Sequence, residues 1–334
     1  MPEEDRLRVW RLYGWFSGLM MCGSCVGAVA WSARMIQLEN IFKAPDKPQS
    51  SAEWSLVAYG YSWRPSFSVM YAITFLCLSA AKLMVLQRMS DFVAPQGHGL
   101  RKRWFAAGRI LMAVVVLGNA VGLAASIAAA VHYQKASVAA SMASAYSAAN
   151  NSKLGDSSIA EHFNELQHAN KIASAQAVCE VCVLLLIVAA FVIVGVLCAR
   201  IFASKLLQVD AASAVAASGR ALQLQVTGTI VAVFVAFLLR SAFATMYAVA
   251  YQLQDFDKIC LGDFCDSTCY NVYALTLEWM FKTPEFQLMI ELISSPLAML
   301  VALWGMSTKS TLQLMKRRMV LTNNRQEPLV PQNL

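Results

Sequence analysis

Apolar stretches of bilayer length recur along the chain, separated by short polar connections. A helix rising 1.5 Å per residue needs roughly 20 apolar residues to cross a hydrocarbon layer of about 30 Å. Six segments meet that length: 12–31, 66–87, 104–132, 174–199, 225–252 and 285–308. Composition agrees, with 58% hydrophobic and 14% charged residues, against about 45–50% and about 25% in soluble domains. The expected fold is all-α: a polytopic membrane helix bundle with six transmembrane helices. Segment 12–31 has an alternative as a signal peptide, since Ala28-Val29-Ala30 has the small residues of a cleavage site.

Helical periodicity continues past the third span. Residues 133–149 hold neither Gly nor Pro, and Val138, Met142 and Tyr146 repeat every four. After a break at 150–156, Ser158 and Glu161 have the spacing of a capping box. Ile159, Phe163, Leu166 and Ala173 then lead into the fourth span. Helices 3 and 4 are therefore expected to extend outward as an antiparallel hairpin, 133–173, faced mostly by Ala and Ser. Within the third span, Gly118, Gly122, Ser126 and Ala130 form a row of small residues. Such rows let helix backbones approach, either inside one bundle or between two copies.

Residues 33–65 are expected to be a first loop, broken at Pro45, Pro48, Gly60 and Pro65. Its aromatics Trp54, Tyr59, Tyr61 and Trp63 suit a membrane–water interface. Lys82, close to the end of the second span, is expected to snorkel to the surface.

Charge sets the orientation. The segments 1–11, 88–109, 200–224 and 309–334 share one side and hold sixteen Lys/Arg and six Asp/Glu. The segments 32–65, 133–173 and 253–285 hold nine Lys/Arg and twelve Asp/Glu. The excess of basic residues places both termini in the cytoplasm. The compartment, plasma membrane or endomembrane, stays open. The net charge of +7 is spread over short loops, so no nucleic-acid partner is expected. The basic run Lys316, Arg317, Arg318 in the tail 309–334 is either a topology signal or a contact for anionic lipid headgroups.

Ionisable residues inside spans are costly and mark functional candidates. Arg240 lies near the middle of the fifth span. Glu180 and Glu291 each lie about six residues, or ~9 Å, into spans that run inward. Pro296 frees a backbone carbonyl beside Glu291. These four residues form the candidate intramembrane cluster. It reads either as an ion pair that fixes helix register or as a site for an ion, proton or ligand.

The loop 253–284 carries Cys260, Cys265 and Cys269. One disulfide with one remaining thiol is expected there, its pairing open. Asn150 heads an N-x-S sequence at the hairpin tip and is a candidate glycosylation site. The pairs Cys22/Cys25 and Cys179/Cys182 have C-x-x-C spacing within apolar spans, where buried apolar cysteines are the expected reading. No catalytic signature, metal site or cofactor is expected. The function expected is a transporter or channel working through the polar cluster. The alternative is a non-catalytic sensor, receptor-like or scaffold protein that uses the hairpin and cysteine loop. Either can form homo-oligomers or take an extracellular protein partner.

Overall fold

The computed structural model describes residues 3–45, 48–94 and 98–206, and residues 228, 231, 234–236 and 238–246. Every regular element among them is helical. The order is α1 (Glu3–Lys43), α2 (Ser51–Ser62), α3 (Arg64–Val93), α4 (His98–Ala148) and α5 (Ser152–Leu206), followed by helical positions within 228–246. Four helical runs are long and apolar enough to cross a membrane: Tyr13–Lys43, Ser51–Asp91, Gly99–Ala148 and Ser152–Cys198. They cover the first four segments expected, apart from one residue at the start of 12–31 and one at the end of 174–199. The fifth is represented by the shorter apolar helix Phe234–Met246, and 285–308 lies outside the described residues. Helices α4 and α5, at 51 and 55 residues, are about 77 and 83 Å long. A hydrocarbon crossing uses less than half of either.

The segment 33–65 is not a loop. Helix α1 runs through to Lys43, and α2 occupies most of the rest. The prolines mark boundaries rather than disorder. Pro45 and Pro48 fall between α1 and α2, and Pro65 sits in the first turn of α3, where its missing N–H costs nothing. Ser50 and Glu53 form a capping box at the start of α2. Backbone N–H groups of Gln49 and Ser50 donate to the Glu53 carboxylate and hold its pKa below the ordinary value. Gly60 stays helical because α1 comes close. A Cβ there would lie 3.1 Å from Ile41 Cγ1 and 3.2 Å from the Gln37 carbonyl oxygen.

The connection between α4 and α5 is shorter than the sequence break implies. Asn150 adopts a left-handed φ of 52°, which Asn tolerates. Its N–H donates to the Ser147 carbonyl, and the Asn151 N–H donates to the Tyr146 carbonyl. That pair of bonds is a Schellman ending with Asn150 at the left-handed position. Helix α5 begins at once, so Ser158 is no cap. It lies nearly two turns inside, its hydroxyl donating to the Leu154 carbonyl.

Helices α4 and α5 run antiparallel over their length. Cross-contacts include Tyr133 with Asn170, Ala136 with His162, and Gly118 with Cys179. A Cβ on Gly118 would lie 2.6 Å from Val183 Cγ2. Ser126 accepts, through its carbonyl, a bond from Ser68 of α3. The small-residue row therefore serves packing within the chain at these two positions. Deeper in the bundle, Phe16 of α1, Phe75 and Leu78 of α3, Val115 of α4, and Leu184 and Ile187 of α5 share one apolar core.

Helix α2 packs on the paired ends of α4 and α5. Trp54 is 4% exposed and contacts the Ala140 and Ala143 surface, so it is not an interface aromatic. Ser51 and Ser144 hydrogen-bond twice, and Ser137 donates to the Ala58 carbonyl. His162 fills the junction, its ring against Trp54 and Tyr61 and its Nδ1 2.7 Å from the Ala136 oxygen. It stands twelve residues, about 18 Å, before the segment 174–199 expected to cross.

Burial lowers the His162 pKa below the ordinary histidine value, with the Ala136 bond opposing. The unfolded chain, with a pKa near 6.5, then binds the proton before the folded one. The stability this histidine lends is complete above about pH 6.5 and declines as the pH falls towards the folded value. Melting temperature should therefore drop on acidification from pH 7.5 to 5, and less steeply in His162→Gln. Equal slopes in the two proteins would contradict this account.

Candidate functional site

Among the described residues, two buried polar clusters lie along the bundle. The deeper one joins α3, α5 and the 228–246 segment. On α3, Tyr71, Phe75 and Lys82 fall on one face at helical spacing. From α5 comes Glu180, and from the last segment Arg240. Their exposures are 1% for Lys82, 6% for Glu180 and 2% for Arg240.

Glu180 is the hub. The Tyr71 hydroxyl donates to its Oε1 at 2.9 Å. Arg240 Nη2 lies 3.8 Å from the same oxygen. The Arg240 guanidinium carbon stands 5.7 Å from the centre of the Phe75 ring. Lys82 is within electrostatic reach of both Glu180 and Arg240. An ion pair at 3.8 Å gains about 4 kcal/mol at an effective dielectric near 20. Desolvation of both ions offsets a large part of that.

Lys82 does not snorkel. Its side chain is enclosed within the bundle at 1% exposure, near Glu180 and Arg240, and helix α3 continues past the end expected at 87 to Val93. Glu180 and Arg240 meet. Glu291 and Pro296 lie outside the described residues, as do Cys260, Cys265, Cys269, Lys316, Arg317 and Arg318. Asn150 is exposed in the α4–α5 turn. Cys77 and Cys198 are buried, but Cys22, Cys25 and Cys182 face outward from the bundle and Cys179 is half-buried. The two C-x-x-C pairs are thus not core cysteines throughout. All six are free thiols. Among the described residues no group of three or more His, Cys, Asp or Glu side chains is arranged to hold a metal.

The second cluster was not singled out by sequence. It lies where the second half of α1 meets the start of α3. Arg34 Nη1 donates to Gln37 Oε1 at 2.7 Å, and Arg64 Nη1 reaches the same oxygen at 3.4 Å. Arg34 and Arg64 stack on the Phe67 ring at 5.5 and 5.3 Å. Arg64 also lies 5.1 Å from the Tyr133 ring, whose hydroxyl donates to Asn170. All three polar residues are buried: Arg34 at 4%, Gln37 at 2% and Arg64 at 6% exposure. The three-residue spacing of Arg34 and Gln37 was a usable helical signal, hidden by reading 33–65 as a loop.

Chemically, the Glu180 hub can hold or pass a proton among carboxylate, phenol and ammonium groups, or exchange its partners for a passing ion. No protein family, curated protein or solved structure matches the chain.

Proposed function

We propose that this apolar helical protein is a six-span transport or channel protein with both termini in the cytoplasm. Its working site is the Lys82–Glu180–Arg240 cluster, with Glu291 as a further member. One observation carries the reading: three ionisable side chains from separate helical segments converge while buried to 6% exposure or less. Charged groups at hydrocarbon depth are costly, and they mark ion, proton or substrate paths by default.

Proteoliposomes containing the full chain test this with tracer sodium, tracer chloride and a pH-sensitive dye for protons. At least one flux should exceed that of empty vesicles. Arg240→Gln and Glu180→Gln should each change it by about tenfold while still inserting. Fluxes unchanged from the wild type in both variants, or absent from the wild type itself, would end the proposal.

A second reading rests on the α2/α4/α5 junction. Its tight packing beyond the hydrocarbon-length segments suits an outward module of a sensor or scaffold. Deleting 137–170 should then abolish association with membrane partners yet spare insertion. Partners captured equally by the deleted chain would rule that reading out.

A further inference from the structure

We infer that the ion carried is the proton, and that the Glu180 carboxylate is its carrier. This rests on the transport reading of the Lys82–Glu180–Arg240 cluster and names the substrate of that site. The groups that face Glu180 select among ions. The Tyr71 hydroxyl donates to Oε1 at 2.9 Å, Arg240 Nη2 stands 3.8 Å from the same oxygen, and Lys82 lies within electrostatic reach. A hard cation needs several oxygen ligands at once, and here it would meet two basic side chains. A chloride ion would meet the carboxylate. A proton needs neither room nor a ligand shell, because it turns Glu180 into the neutral acid where it stands. Close packing is then no obstacle. At this level α4 meets α5 through Gly118, where a Cβ would lie 2.6 Å from Val183 Cγ2.

The charges allow a complete transfer. Arg240 and the Glu180 carboxylate balance each other, so the cluster is neutral when Lys82 is the free amine. As a proton reaches the Tyr71 oxygen, the phenol's own proton passes along its bond to Glu180 Oε1, and the phenol is neutral before and after. The carboxyl group then gives its proton to Lys82 Nζ and returns as carboxylate to Arg240. The ammonium releases the proton onward, so one proton enters and one leaves. Two further hydroxyls flank this route. Ser79, at 0% exposure, stands three residues before Lys82, and Ser241, at 3%, follows Arg240. Among the described residues neither Oγ has a hydrogen-bond partner. A hydroxyl can accept and donate at once, so each suits the passing of a proton to or from its neighbour.

The full chain in proteoliposomes is driven by a potassium gradient with valinomycin. A pH-sensitive dye inside the vesicles is read beside tracer sodium and tracer chloride. Proton uptake should exceed that of empty vesicles, and neither tracer should. In D2O the uptake should slow by more than the leak of empty vesicles does. Glu180→Gln should cut the uptake about tenfold or more. Tyr71→Phe keeps the ring and loses only the hydroxyl, so it covers the case in which the Glu180 variant does not fold, and it should slow uptake several-fold. Lys82→Arg carries a charge that is not given up and should stop uptake. Sodium or chloride flux above that of empty vesicles would overturn the inference and leave the transport reading standing. No flux of any of the three would end both. Proton uptake at the wild-type rate in Glu180→Gln would overturn the carrier, and in Tyr71→Phe the route to it.

Discussion

Replacing Glu180 with leucine is expected to destabilise the bundle by about 3–5 kcal/mol, the cost of breaking a buried ion pair from one side. The carboxylate accepts from Tyr71 and faces Arg240 at 3.8 Å. Removing it leaves Arg240 and Lys82, both almost fully buried, with their main negative neighbour gone. Leucine fills a similar volume, so the loss is electrostatic rather than a cavity. The companion variant carries Glu180→Leu, Arg240→Met and Lys82→Met together. Buried charge clusters replaced whole by apolar groups are often neutral or more stable by about 1–4 kcal/mol. The triple variant should therefore recover most of the loss, less about 1 kcal/mol for the lost Tyr71–Glu180 hydrogen bond. Reversible unfolding in mixed micelles measures both. A triple variant as unstable as Glu180→Leu would show that charge is not what the single change removed.

The same pair of variants separates a structural clasp from a transport site. A clasp needs only that the helices stay in register, so a stable triple variant would keep whatever flux the wild type carries. A site needs the ionisable groups themselves. The triple variant should then be stable and inactive. That combination cannot arise from misfolding.

The meeting of Glu180 and Arg240 could be anticipated because depth along an unbroken helix is simple arithmetic, and each lies in one apolar run. Lys82 was misplaced because its position along α3 does not record which face of that helix the neighbouring helices cover, and they enclose it at 1% exposure. Segment 33–65 shows a different failure. Proline and glycine were read as breakers wherever they stood, yet Pro65 starts a helix and Gly60 sits within one. Gly60 is there because α1 passes 3.2 Å from where its Cβ would be. That is a tertiary cause with no local signal. The joining of Arg64 to the Arg34–Gln37 pair was invisible for the same reason. They are brought together by the packing of α1 against α3, and no periodicity records that.

Truncating Trp54 to alanine is expected to cost about 3–5 kcal/mol in the stability of the α2/α4/α5 junction, at the large end for core truncations. The magnitude follows from what surrounds the indole. Ala140 and Ala143 beneath it are already minimal, at 0% and 1% exposure. The His162 ring meets it edge-on at 5.9 Å and is held by its bond to Ala136. None of these neighbours can swing in to fill the void, so the cavity persists and its cost is added to the lost transfer energy. Trp54→Phe leaves a smaller hole and should cost roughly half as much. Tyr59→Ala, on the exposed face of the same helix at 52% exposure, should stay within about 0.5 kcal/mol of the wild type. Hydrogen exchange at 136–143 and 159–166 provides the local readout, since loosening should appear there before the deeper core around Leu184 and Ile187 responds. Protection lost equally in that core would mean that the junction and the bundle unfold as one unit. The joined ends of α4 and α5 would then be a continuation of the bundle rather than a separately yielding module.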